Sequence, residues 1–129
     1  MNTDNISGIQ HIGLPTRDLE ATIRFYEKLG FRAVHRTSTP DGVPVAFLQL
    51  KTAMIEAWRE EKPVGHTGSI DHLSLDVADA DAAYAEAKAL GCKMLHDKVQ
   101  TLPFWEKGIR FFTIEGPNAE KIEFCQIVK

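Results

Sequence analysis

A chain of 129 residues with 43% hydrophobic and 26% charged residues has the size and composition of one compact domain, which excludes a disordered chain. Its net charge of −3, from 15 basic and 18 acidic residues, offers no electrostatic footprint for a nucleic-acid backbone. The longest apolar stretches, such as Val45-Ala-Phe-Leu, are too short to span a bilayer, and the polar start Met1-Asn-Thr-Asp-Asn lacks the layout of an export signal; a cytoplasmic protein without membrane contact is expected. Cys92 and Cys125 form no CxxC pattern and read as reduced, buried small hydrophobes.

In chain order, alternation predicts a strand over 9–14. Asp18 then caps a helix that runs to Leu29 and is closed by Gly30, with Leu19, Ile23, Tyr26 and Leu29 as its apolar stripe. Strands follow over 32–38, 45–50 and 53–58, with Pro40-Asp41-Gly42 turning the chain between the first two. Residues 59–68 are polar, contain Pro63 and two glycines, and read as a linker. Beyond it the same order returns. A strand covers 70–75, and Asp79 caps a helix with Ala80, Ala83, Tyr84, Ala87 and Leu90 on one face, ended by Gly91. Strands are expected over 93–99, 109–114 and 121–128, the last two separated by Gly116-Pro117-Asn118.

The recurrence is visible in the residues themselves. Residues 8–35 laid over 69–96 match at one offset of 61 through Ile9/Ile70, His11/His72, Leu14/Leu75, Asp18/Asp79, Ala21/Ala82, Leu29/Leu90, Gly30/Gly91 and His35/His96. The offset becomes 64 where 45–50 is set over 109–114, and 67 where Ile55-Glu56 is set over Ile122-Glu123. The fold class is therefore α+β: within one domain of 1–129, tandem βαβββ modules at 7–58 and 69–128. Their sheets are expected to form one curved mixed sheet with helices on the convex face and a small-molecule site in the concave one.

Alternate strand residues point to opposite faces, so parity sorts the modules. Ile12 and Leu14, Leu73 and Leu75, Ile55 and Ala57, Ile122 and Phe124 are assigned to the helices. His11 and His72, beside Gly13 and Ser74, then fall on the open face together with Glu56 and Glu123. A single strand histidine or glutamate is more often structural than a ligand. Two His/Glu pairs at repeat-equivalent positions argue instead for a shared role. Two imidazoles and two carboxylates balance a divalent ion of the Ni, Co, Zn, Fe or Mn type. Such an ion would polarise a carbonyl oxygen and stabilise an enediolate, and a loosely held glutamate would serve as general base.

Over essentially its whole length the chain resembles the vicinal oxygen chelate superfamily, and specifically short bacterial glyoxalase I (lactoylglutathione lyase) proteins. The resemblance rests on Ile9-Gln-His11-Ile-Gly-Leu, Asp18-Leu with Phe25-Tyr26 and Leu29-Gly30-Phe31, Met54-Ile-Glu56, Ile70-Asp-His72-Leu-Ser-Leu, and Glu115-Gly-Pro-Asn with Lys121-Ile-Glu123-Phe. It implies His11, Glu56, His72 and Glu123 as metal ligands, with Glu123 the usual proton shuttle and Glu56 its symmetric counterpart. It tilts the metal towards Ni or Co over Zn, Mn or Fe, and it implies a homodimer. The implied activity is a lyase or isomerase moving a proton on the hemithioacetal of methylglyoxal and a thiol through a metal-bound enediolate. Alternatives are an epimerase of the same superfamily, which characteristically carries Gln at the Glu56 position, and a non-catalytic small-molecule-binding module. Extradiol dioxygenases and fosfomycin-modifying relatives use two His and one Glu, so Glu56 favours the glyoxalase branch.

Two positions depart from the glyoxalase pattern. Pro15 stands where the family has an arginine for a glutathione carboxylate, and Glu60 where it has an asparagine. These departures leave room for another thiol or another α-hydroxycarbonyl substrate. Trp58, Phe104, Trp105 and Phe111 are candidate pocket walls, Phe111 being read more readily as core, and 102–107 is a candidate lid. His35 and His96 are read as surface or hydrogen-bonded residues starting second strands, and His66 as a solvated linker residue.

Overall fold

A computed structural model describes residues 2–5, 8–68 and 70–129, which divide into two units, Met1–Pro63 and Val64–Lys129. Ser7 and Ser69, expected to open the two modules, lie outside the described residues. The division falls inside the expected 59–68 linker, and Arg59 itself still belongs to a strand.

The first unit contains β1 (Ile12–Thr16), α1 (Leu19–Lys28), β2 (Arg32–Ser38), β3 (Pro44–Leu50) and β4 (Ala53–Arg59). Its sheet runs β1-β4-β3-β2, with β1 parallel to β4 and the other pairs antiparallel. A parallel pair needs a crossover, and α1 begins it. Asp18 is in extended backbone and its carboxylate accepts from Ala21 N at 2.9 Å, satisfying a donor that the first helical turn leaves free. At the other end Gly30 takes φ +95°, a conformation that costs glycine little. Ile23 and Tyr26 of α1 are buried with Ala46, Leu48, Ile55 and Ala57 of the sheet. Two hydroxyls in this core satisfy each other, Thr16 Oγ1 and Thr22 Oγ1 lying 2.8 Å apart. Pro15 sits in β1, at the edge of the sheet, where a missing N–H is tolerated. β2, at the opposite edge, carries a bulge at Val34 between the Ala33 and His35 pairings.

The second unit contains β5 (His72–Asp76), α2 (Ala80–Ala89), β6 (Lys93–Met94), β7 (Gln100–Leu102), β8 (Ile109–Glu115) and β9 (Lys121–Ile127). The order is β5-β9-β8-β6, with β7 also paired to β8. Asp79 caps α2 as Asp18 caps α1, accepting from Asp81 N and Ala82 N at 3.0 Å. The sheet here supplies the bulk that the alanine-rich helix lacks. Phe112 meets Tyr84 of α2 edge-on with ring centroids 5.2 Å apart and stacks on Phe124 at 4.9 Å. Asp18→Ala or Asp79→Ala is expected to lower stability by about 1 kcal/mol, read from the midpoint of urea unfolding.

Several expectations need correction. The opening strands begin later than 9 and 70, because their parallel partners run out. With Ile12 opposite Ile55, Ile9 would fall opposite Thr52, in the turn before β4. With His72 opposite Lys121, Ile70 would fall opposite Ala119, in the turn before β9. The strand expected over 93–99 is split into β6 and β7. There Leu95 N still donates to Thr113 O at 2.9 Å, but the next ladder donor, Thr113 N, goes to the imidazole Nδ1 of His96 at 3.1 Å. A side chain replaces the backbone acceptor, and the chain bulges until Gln100 pairs with Phe111. The offset of 64 is also slipped by two residues. Leu48 pairs with Ile55 as Ile114 pairs with Ile122, so the structural offset between β3 and β8 is 66 (114 less 48). A slip of two leaves alternation intact, which is why patterning cannot detect it. Leu90, assigned to the buried stripe, is 43% exposed as the C-cap of α2. Cys92 and Cys125 are thiols outside any disulfide, but half-buried rather than buried.

Candidate metal centre

The open face of the first unit is built by register. Glu56 on β4 lies between Gly13 on β1 and Phe47 on β3, with His35 beyond Phe47 on β2. His11 precedes β1 by one residue, and its Nε2 lies 2.9 Å from Glu56 Oε2. Its Nδ1 is hydrogen-bonded to the side-chain carbonyl of Gln10, and its ring meets Phe47 edge-on at 6.1 Å. Trp58 packs over Gly13, and a Cβ there would stand 3.2 Å from the outer edge of the indole, so a larger residue would need the ring to give by a few tenths of an ångström. His35, expected to start its strand away from the ligands, lies within β2 and its ring sits 5.8 Å from that of Phe47.

The second unit repeats the row with other neighbours. Glu123 on β9 lies between Ser74 on β5 and Thr113 on β8, and His72 opens β5. His72 Nε2 is 3.8 Å from Glu123 Oε1, and the Ser74 hydroxyl donates to the same oxygen at 2.9 Å. His72 Nδ1 donates to Asp71 Oδ2 at 3.0 Å, while Lys121 Nζ donates to Asp71 Oδ1 at 3.0 Å. These bonds, that from His72 foremost, hold the Asp71 carboxyl below the usual carboxylate range. Cys125, two residues beyond Glu123, has its thiol pushed up by burial, with Glu123 and Asp76 adding to the effect. It is no activated nucleophile.

In both units the Nδ1 of the histidine is engaged by the side chain just before it, and the Nε2 is turned towards a carboxylate, with a proton or a cation able to join the two. Donors about 2.0–2.2 Å from one ion of the zinc type lie roughly 3–3.5 Å apart, and the two observed separations bracket that range. Donation of the second ring nitrogen to an oxygen is also the usual arrangement of a ligating imidazole. The imidazole and carboxylate of each pair are of the donor types that hold a divalent cation. Each unit brings together one His–Glu pair, and among the described residues no group of three or more His, Cys, Asp or Glu is placed to hold an ion.

The candidate pocket residues are dispersed. Trp58 covers Gly13 in the first unit. Phe111 is half-buried beside His96, at 5.6 Å, rather than in the core. Phe104 is 54% exposed, and Trp105, 73% exposed with φ +63°, walls a cavity of about 580 Å³ with Leu102, Lys107, Ile109, Arg110 and Val128. The loop over 102–107, expected as a lid, contributes Leu102, Pro103, Trp105, Glu106 and Lys107 to the lining of this cavity. Thr113, the neighbour of Glu123, is four residues further along β8 than Ile109, roughly 13 Å away in an extended strand. His96 is hydrogen-bonded through Thr113 N, and His66 is exposed with Nδ1 2.9 Å from Val64 O. Asp71, Ser74 and Lys121 were not singled out in the sequence as site residues. The signal for the first two was a difference, since Asp71 and Ser74 replace Gln10 and Gly13 inside otherwise matched segments.

This chain belongs to the Glyoxalase/Bleomycin resistance protein/Dioxygenase superfamily, whose family model matches residues 8–124. Many members of that superfamily are enzymes, and members often bind divalent metals and small molecules. The chain is 35% identical over 126 residues to the uncharacterized protein YwbC of Bacillus subtilis (strain 168), covering 92% of this chain and 96% of that one. Among solved structures it is similar to a glyoxalase family protein from Enterococcus faecalis, with a TM-score of 0.77 and 20% identity over 93% of this chain and 98% of the other. The fosfomycin resistance protein FosX of Listeria monocytogenes, in complex with Mn(II) and sulfate, is similar with a TM-score of 0.73 and 17% identity, covering 95% and 94%. At these identities the solved structures share the fold. Among the described residues no helix is long and apolar enough to cross a membrane.

Proposed function

We propose that the protein is a divalent-metal lyase or isomerase of the glyoxalase I type, acting on the hemithioacetal of methylglyoxal and a thiol. One observation carries the reading: in each unit the repeat-equivalent histidine, with Nδ1 already engaged, turns Nε2 to the repeat-equivalent glutamate. His11, Glu56, His72 and Glu123 would hold the cation, one pair from each module, of one chain or of two in a homodimer. When bound, the cation supplies Lewis acidity to a carbonyl oxygen of the substrate. The carboxylates of Glu56 and Glu123 are the groups able to take a proton from the adjacent carbon and return it to the next.

Nickel or cobalt is preferred over zinc, manganese or iron. Pro15 in β1 offers no cation to a glutathione carboxylate, and exposed Glu60 adds a negative charge, so a thiol other than glutathione fits better. A site within the cytoplasm, where such thiols are held reduced, accords with the reading. The test is the cation content of protein purified without chelator, together with turnover of methylglyoxal across a panel of thiols. Stoichiometric cation and turnover with at least one thiol are expected. Ligand binding indifferent to a chelator, with no turnover, would point to a non-catalytic binding module. Solvent deuterium entering an acyl-thioester rather than a hemithioacetal would point to an epimerase.

A further inference from the structure

β2 forms one edge of the first unit's sheet, and its open face presents three hydrogen-bond donors that meet no acceptor. Residues three apart in a regular strand point to opposite sides. The bulge at Val34 changes that. Arg32 pairs with Gln49 and His35 with Phe47, two residues apart on β3, so both side chains fall on one face. It is the face of Glu56, because Phe47 pairs in turn with Glu56 on β4. Thr37, opposite Val45, follows on the same side, while Arg36 turns to the helix side and binds Glu20 of α1. Among the described residues the Arg32 guanidinium, the Thr37 hydroxyl and the ring nitrogens of His35 have no hydrogen-bonding partner, and all three residues are exposed.

The second unit shows the same kinds of residue put to structural use. At the offset of 61, Lys93 corresponds to Arg32 and His96 to His35. Lys93 Nζ is bound to Glu115 Oε1 at 2.6 Å, and His96 Nδ1 accepts from Thr113 N at 3.1 Å. In the first unit no such acceptor or donor is supplied, and the groups stay open on the face of the candidate site.

Resting on the function proposed above, we infer that Arg32, His35 and Thr37 bind an anionic end of the substrate, a carboxylate on its thiol. β2 is two strands from β4, which places these groups roughly 10 Å from Glu56 across the sheet. That is too far to touch the carbon whose proton Glu56 takes, and it suits a carboxylate a few bonds further along the thiol. A guanidinium receives a carboxylate through two parallel N–H bonds, with the imidazole and the hydroxyl as further donors. Phe47, on the strand between, offers an apolar surface to the intervening carbons. The cation that Pro15 leaves missing on β1 is thus supplied from the opposite edge of the sheet, for a substrate whose carboxylate lies on that side.

The test is binding of two product-like thioesters, S-lactoyl-N-acetylcysteine and its carboxamide, to the full chain by isothermal titration calorimetry, together with turnover of the two corresponding hemithioacetals of methylglyoxal. The wild type is expected to bind the carboxylate form about 10–100-fold more tightly than the amide, the usual worth of a hydrogen bond to a charged group. Arg32→Leu and His35→Leu are each expected to lose most of this preference and to raise KM for the carboxylate substrate with kcat unchanged, whereas Arg32→Lys, which keeps the charge, retains part of it. An unchanged midpoint of urea unfolding shows that these exposed positions leave the fold intact. Equal affinity of the wild type for acid and amide, or a preference that survives unchanged in either Leu variant, overturns this inference and leaves the proposed function standing. A preference lost in both Leu variants without turnover of either hemithioacetal supports the subsite and overturns the proposed reaction. Neither binding nor turnover overturns both.

Discussion

Glu56→Gln is expected to lower turnover of the hemithioacetal by about 10²–10⁴-fold, the usual contribution of a positioned general base. Glutamine has the size of glutamate and keeps an oxygen that can face His11, but its amide does not take up a proton at neutral pH. The register that holds Glu56 between Gly13 and Phe47 is a backbone property, so the variant should unfold at the same urea concentration as the wild type. Initial rates with the best thiol of the panel check the first statement and equilibrium unfolding the second. A variant within ten-fold of wild-type turnover removes Glu56 from the chemistry.

Phe112→Ala is expected to cost about 3–5 kcal/mol, the largest loss of stability from a single truncation in the second unit. Its ring is completely buried, nearly perpendicular to that of Tyr84 and stacked on that of Phe124. α2 offers Ala80 and Ala87 as its buried side chains, and its one larger neighbour, Tyr84, is tied by its hydroxyl to His96 O at 3.1 Å, so the helix has little with which to fill the space. Domains of this size are held by about 5–15 kcal/mol in all, so the variant should show a much lower urea midpoint. A loss below about 1 kcal/mol would mean that the helix collapses onto the sheet and closes the gap.

The sequence carried the elements well wherever local chemistry decides them. Asp18 and Gly30, and Asp79 and Gly91, bracket the helices because a side-chain acceptor and a left-handed glycine act within one turn of chain. What it did not carry depends on partners distant in sequence. The late starts of β1 and β5 are set by where β4 and β9 begin, and the break between β6 and β7 by one imidazole reaching Thr113 N. The two-residue slip in matching β3 to β8 has the same origin, since strand alternation fixes the face and not the register. For the candidate site, parity selected His11, Glu56, His72 and Glu123, and each histidine does meet its glutamate across β1–β4 or β5–β9. The hydrogen bonds from Ser74 and to Asp71 occupy positions where the repeats diverge, so identity between the two copies carries no trace of them.

The bulge at Val34 bears on how the first unit's sheet stops growing. β2 is the terminal strand of that sheet, and a straight terminal strand is a template on which further chains can assemble. Here the ladder is interrupted at Val34, and the flanking Arg32 and Arg36 are exposed, the latter bound to Glu20 of α1 at 2.7 Å. An incoming strand would meet a kinked edge and two guanidinium groups. An edge of this kind is a poor template for the addition of further strands.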